Sequence, residues 1–174
     1  MVRDAKSLNI AIKKGTANIN NIEAMINKCL FSKKDIFTIV PASTIVSELQ
    51  IINAVEKALA EFRSKKAIAK SLSLEFLLFL YGTRKIKEAL KIVAQKDKQY
   101  FLVAASENKD RLKRMLSCAI NSGFKEREFA LKPNTKKLAA LYNIDWLHAY
   151  KGYKKDEALK LAILEKQALS RLIE

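Results

Sequence analysis

Residues able to do covalent chemistry are few and scattered. His148 is the sole histidine, so a Ser-His-Asp, Cys-His or multi-histidine metal site would need partners that the chain does not hold. Neither the P-loop pattern nor the GxGxxG fingerprint occurs, which removes the usual phosphate and dinucleotide cradles. Glu56, Glu61 and Glu165 fall on charged helix surfaces and form no pair suited to acid/base work or Mg²⁺. No enzyme, cofactor or metal is expected.

Binding chemistry is better represented. In Tyr81-Gly82-Thr83-Arg84-Lys85, Gly82 ends an apolar helix in the left-handed conformation and Thr83 caps the next helix. A helix N-terminus beside Arg84 and Lys85 is a favourable seat for a phosphate. At about 100° per residue, Arg84, Lys87 and Lys91 share one face of the segment TRKIKEALKIV, and Ile86, Ala89, Leu90 and Val93 the opposite one. Lys65 and Lys66 add cations at the end of the preceding helix. Tyr81 and Arg84 flank Gly82 and offer planes on which an exposed base can stack; Tyr81 equally suits the last core position of its helix. The bland reading of the lysines is a solvated face.

The formal net charge is +15, from 33 Lys+Arg against 18 Asp+Glu. That excess of one sign suits a polyanion, nucleic acid or an acidic membrane surface, and nucleic acid is favoured. Lys13-Lys14, Lys33-Lys34, Lys136-Lys137 and Lys154-Lys155 also lie at element ends, where no single pair is diagnostic. Cys29 and Cys118 sit among apolar residues, which reads as two buried free thiols in a reducing compartment. No secretory signal or membrane span is recognised, so a cytoplasmic protein is expected.

The elements that must position these residues follow from periodicity. Alternation at Leu8, Ile10 and Ile12 predicts a strand, and Ile19, Ile22, Met25, Ile26 and Leu30 a helix over 18–30. The run 36–40 predicts a second strand, with parallel pairing across that crossover one possibility. A long helix follows from Ser43, with Ile45, Leu49, Ile52, Val55, Leu59 and Phe62 as its stripe. Residues 72–81 have no polar side and form a core helix. Strand 100–105, a helix ending near Gly123, an edge strand over 128–131 and a helix over 136–142 come next. An aromatic link carries Trp146, His148, Tyr150 and Tyr153. The last helix, 155–172, bears two stripes. Leu159, Ala162, Ile163 and Ile173 face the core; Leu161, Leu164, Ala168 and Leu172 are either covered by the chain or open to a partner. The pattern is one helix-rich α/β or α+β domain over 1–174, a small sheet packed with helices.

SELQIINAVEKAL, SLEFLLFLYGTRKIKEAL, YFLVAA and the C-terminal LEKQALSRL resemble the small tRNA-binding accessory subunit of the KEOPS complex, the PRPK-binding protein family. The likeness runs from about Ile36 to the end and is strongest over 74–90. It implies a non-catalytic partner of the complex's small atypical kinase. It also implies help in recruiting tRNA, through the single-stranded 3′ CCA end, for threonylcarbamoyl modification of the adenosine beside the anticodon. The family's turn before its third helix corresponds to Gly82-Thr83-Arg84-Lys85-Ile86. Relatives place a Gly at the end of that helix where this chain has Val93-Ala94-Gln95, and residues 1–35 match weakly.

Overall fold

The computed structural model describes residues 8–18, 20, 22–144, 150 and 152–170. Its centre is strand β3 (Tyr100–Ser106), buried at every position. Strand β1 (Asn9–Thr16) pairs antiparallel with β3 on one side and β2 (Ile36–Pro41) on the other. A two-residue strand, β4 (Lys125–Glu126), closes the outer edge of β1, giving the order β2-β3-β1-β4. β1 and β2 therefore point the same way, but β3 lies between them and no parallel pair forms.

Successive side chains of a strand point to opposite faces. Ile36, Val40, Phe101, Val103 and Ala105 enter one apolar cluster, and Phe37, Ile39, Tyr100, Leu102 and Ala104 a second. Continuous apolar runs are what a sheet covered on both faces requires. Helices α1 (Ile22–Cys29) and α5 (Lys109–Asn121) cover the second cluster. The first is covered by α2 (Glu48–Arg63), α3 (Leu72–Tyr81), α4 (Ile86–Val93), α6 (Thr135–Leu141) and α7 (Lys155–Leu169). The fold is α+β.

α3 is buried along nearly its whole length, as a helix with so little polar surface must be; its two buried polar side chains are satisfied, Ser73 accepting from the Phe37 amide and Glu75 from the Ala69 amide. The expected long helix starts later than Ser43. Ala42–Thr44 make a 3₁₀ turn, and Ser47 caps α2 by accepting from the Gln50 amide. Its buried face is Gln50, Ile51, Ala54, Val55 and Ala58, whereas Leu49 is 45% exposed and Ile52, Leu59 and Phe62 lie on the flanks. The small side chains of Ala54 and Ala58 let α3 approach closely, which turns the larger residues sideways.

The expected edge strand over 128–131 is absent. Pairing stops at Glu126, the Arg127 amide donates to the Lys14 carbonyl, and Phe129 folds onto Phe101 with ring centroids 5.4 Å apart. The apolar Phe129 gains more from the sheet face than from continuing the rim. Ile19, Trp146, His148, Leu172 and Ile173 lie outside the described residues. Among the described residues no helix is long and apolar enough to cross a membrane.

Cys29 and Cys118 are not free thiols. They form a disulfide between α1 and α5 with Cα atoms 5.6 Å apart, because the two helices lie side by side on the same face of the sheet. The pairing also removes the ground on which a reducing compartment was argued. It closes a loop with a sequence separation of 89, and such closure restricts the unfolded chain by about 2–4 kcal/mol. Reduction should therefore lower the melting temperature by several degrees, at about 2–4 °C per kcal/mol for a chain of this size. Thermal melts with and without a thiol reductant read this directly, and an unchanged midpoint after complete reduction would contradict it.

Candidate binding site at the end of the apolar helix

α3 stops where Gly82 takes φ 58°, ψ 41°. The Thr83 amide donates to the Leu78 carbonyl at 3.0 Å and the Gly82 amide to the Phe79 carbonyl at 3.2 Å, the paired bonds that close a helix C-terminus. The Leu80 carbonyl is received by two buried amides, Gln50 Nε2 at 3.1 Å and Gln167 Nε2 at 3.3 Å. Gln50 Nε2 also donates to the Tyr142 hydroxyl, which donates in turn to the Thr44 carbonyl at 3.0 Å. α2, α3, α6 and α7 are thus tied together at one end of α3.

Tyr81 is 2% exposed, and its hydroxyl lies 3.2 Å from the Thr44 hydroxyl. Burial pushes its phenol far above the ordinary value. It is a core residue and not a stacking plane, because the apolar helix carries it inward with its neighbours.

Beyond the turn, Thr83 does not cap α4. Its hydroxyl accepts from the Lys85 amide at 3.2 Å and donates to Glu88 at 2.7 Å, while Lys85 Nζ pairs with the same carboxylate at 3.0 Å. α4 starts only at Ile86, with Lys85 at the capping position and no side-chain bond to the helix end. The Thr83 hydroxyl, and after it the Lys85 side chain, hold Glu88 below the usual carboxylate range. The expected anion seat therefore already has a carboxylate beside it.

Lys87 and Lys91 are exposed and have no ion-pair partner among the described residues. Arg84 is exposed in the turn. Only Ala89 of α4 is buried, and Leu90, expected in the core, is 42% exposed. α4 packs at the rim of the fold, so Leu90 and Ala94 instead line a groove of about 520 Å³ with Ile22, Ile26, Ile39 and Val93. By helical geometry Lys87 and Lys91 border the Leu90–Ala94 side of that groove. Lys65 and Lys66 are exposed in the link between α2 and α3. That link precedes α3, whereas Gly82 follows its 10 residues, about 15 Å of helix at 1.5 Å per residue. The two groups are not brought together.

α7 turns Leu159, Ala162, Ile163 and Gln167 inward. Leu161 is 38% exposed, Ala168 is exposed and Leu164 is half-buried. The second stripe is thus left open within the described part of the chain.

The profile of the family described as "Kinase binding protein CGI-121" matches residues 16–173. The chain belongs to the CGI-121 family. A curated relative, "Regulatory protein Cgi121" of Methanocaldococcus jannaschii, is 33% identical over 84 residues, 48% of this chain and 55% of that protein. The aligned stretch thus spans about half the length of that relative. The family match takes in residues 16–35, a stretch in which the sequence alone shows little resemblance.

Sequence reasoning missed the residues that hold the end of α3 in place. Gln50 and Gln167 interrupt apolar stripes at inward positions, and a polar residue there is the signal for a buried hydrogen-bond partner. Lys166 was also missed: its ammonium donates to the Tyr142 carbonyl at 2.6 Å, and its desolvation lowers the pKa. Its stem packs on the Gly82 turn, so a Cβ at Gly82 would lie 2.9 Å from Lys166 Cγ. Gly82→Ala should therefore cost about 1–2 kcal/mol for the left-handed backbone, with the contact adding to it. Urea denaturation checks this, and full stability of the variant would refute it.

Proposed function

We propose that this chain is a non-catalytic regulatory subunit that docks on a small protein kinase through the open face of α7. The observation that carries the reading is the uncovered stripe Leu161, Leu164 and Ala168, in a family described by its kinase binding. Leu172 continues that stripe in sequence. An apolar helix face left open by the described residues is suited to a partner.

The second part of the proposal is recruitment of tRNA to the threonylcarbamoyl-installing KEOPS assembly by its single-stranded 3′ CCA end. Support comes from the net charge of +15 and from Lys87 and Lys91 bordering a mainly apolar groove, whose polar lining is Glu23 and Asn27. Lysines attract phosphates, and an apolar groove receives an unstacked base. Arg84 and Lys85 extend the cationic edge toward Gly82. Lys65 and Lys66 lie too far along α3 to serve the same phosphate and would meet a more distant part of the RNA. A kinase scaffold without RNA contact is the alternative, and Glu88 favours it, since that carboxylate engages Thr83 and Lys85.

The double variant Leu161→Glu, Ala168→Glu places charge on exposed positions and should leave the fold intact. Its affinity for the purified kinase subunit should fall by at least about tenfold, equivalent to 1.4 kcal/mol. Unchanged co-elution on size-exclusion chromatography would sink the docking face. For RNA, Lys87→Glu with Lys91→Glu should weaken binding to intact tRNA and flatten its salt dependence by about one unit of slope per lost phosphate contact. Glu88→Gln should strengthen it several-fold. Equal binding of intact tRNA and tRNA lacking CCA would mean nonspecific charge attraction alone, and no binding to either would leave the scaffold reading.

A further inference from the structure

The opposite face of the sheet carries a second cationic feature, between α1 and α5. Between α1 and α5 lies a pocket of about 410 Å³. Lys28 and Phe31 come to it from the end of α1; Lys113, Arg114, Ser117 and Asn121 come from α5. The spacing of the α5 residues puts them on one side of that helix. No carboxylate lines the pocket. Elsewhere the cations Lys13, Lys14, Arg63, Lys85 and Arg111 each meet a carboxylate, but Lys28, Lys113 and Arg114 pair with none among the described residues.

Phe31 is the second independent observation. It is 41% exposed, and the Arg114 guanidinium stands over its ring at 4.9 Å from the centroid. An aromatic ring and a guanidinium plane held together at the mouth of a cationic pocket make a stacking platform. Lysines on either side supply the phosphate contacts that such a platform needs. A duplex offers no free base to a pocket, and an acidic peptide answers the lysines but leaves the ring without a partner.

We propose that this pocket binds a short stretch of single-stranded RNA, with one base packed against Phe31 and Arg114 and the flanking phosphates on Lys28 and Lys113. The disulfide is part of the site. Cys118 lines the pocket, and its bond to Cys29 joins the helix bearing Lys28 to the helix bearing Arg114. It keeps the two halves of the platform in register while the apolar cluster beneath, Met25, Met115 and Ala119, holds the layer on the sheet.

The test is fluorescence anisotropy of the whole, oxidised protein with end-labelled oligouridylate and oligoadenylate of about eight nucleotides, within the usual site sizes for such binders. Phe31→Ala should weaken binding about tenfold, the lower-middle of the loss seen when one stacking partner is removed. Phe31→Trp should retain affinity and show fluorescence quenching on addition of RNA. Arg114→Glu and Lys113→Glu should weaken binding further and reduce its salt dependence, and reduction of the disulfide should weaken it without unfolding. In a Lys87→Glu, Lys91→Glu background, which removes the cations proposed for the 3′ end, Phe31→Ala should still weaken oligonucleotide binding about tenfold. That separates this site from the tRNA reading above, since either can fail alone. Equal affinity of Phe31→Ala and the parent would overturn the proposal, as would an unquenched Phe31→Trp. So would displacement of the RNA by polyglutamate as effective as unlabelled RNA.

Discussion

A helix that is apolar on nearly every side has to be enclosed, and that requirement on α3 arranges the rest of its layer. α2 lies along it through alanines, β2 and β3 floor it, and α7 closes it near its C-terminus. Where α3 ends, its carbonyls still need donors in a region without water. Gln50 and Gln167 provide them for Leu80, and Gly82 turns the chain so that Thr83 satisfies Leu78. A buried amide left unpaired costs more than a paired one contributes, so these contacts demand a definite position for α7. Gln167 Oε1 has no partner among the described residues, so the arrangement is held mainly by the donor side of that amide.

The two sides of α7 then follow from one geometric fact. The side that meets α3 has to supply hydrogen bonds as well as apolar surface, which places Gln167 among Leu159 and Ile163. The remaining apolar residues are displaced to the outside. Lys166 falls on the same side as Leu159, Ala162 and Ile163 by helical spacing, with its ammonium on the Tyr142 carbonyl and its stem on the Gly82 turn. Any shift of α7 would therefore be felt at the turn that leads into α4.

Much of the fold was legible in the sequence because burial on both sides leaves an unmistakable run. Residues 100–105 and 36–40 read as strands for that reason, and 72–81 as a core helix. The α2 face was less legible. Its large residues suggested one stripe, yet close approach to α3 depends on Ala54 and Ala58, which carry little weight in a periodicity count. The edge strand was misplaced because Phe129 suits a strand and a ring packed over a sheet equally well. The Gly82 turn was readable from its glycine, but Glu88 was not, since a salt bridge across a turn leaves no periodic trace. Tyr81 admitted both readings, and its helix decided for the core. The cysteines were each correctly placed near apolar surface, but only the adjacency of α1 and α5 brings their sulfurs together.

The Cys29–Cys118 bond has a topological meaning beyond stability. It makes a covalent ring of β2, α2, α3, α4, β3 and most of α5, and leaves β1 and α7 outside. A peptide bond cut within the ring does not separate the molecule, because the sulfur bridge still joins the pieces. Tension applied through α7 enters the ring at Cys118 by way of the backbone between α5 and α7, so the C-terminal helix can be drawn off its non-covalent contacts while the enclosed elements stay connected. In an assembly where partners pull on that helix, the ring is the part that keeps its own connectivity.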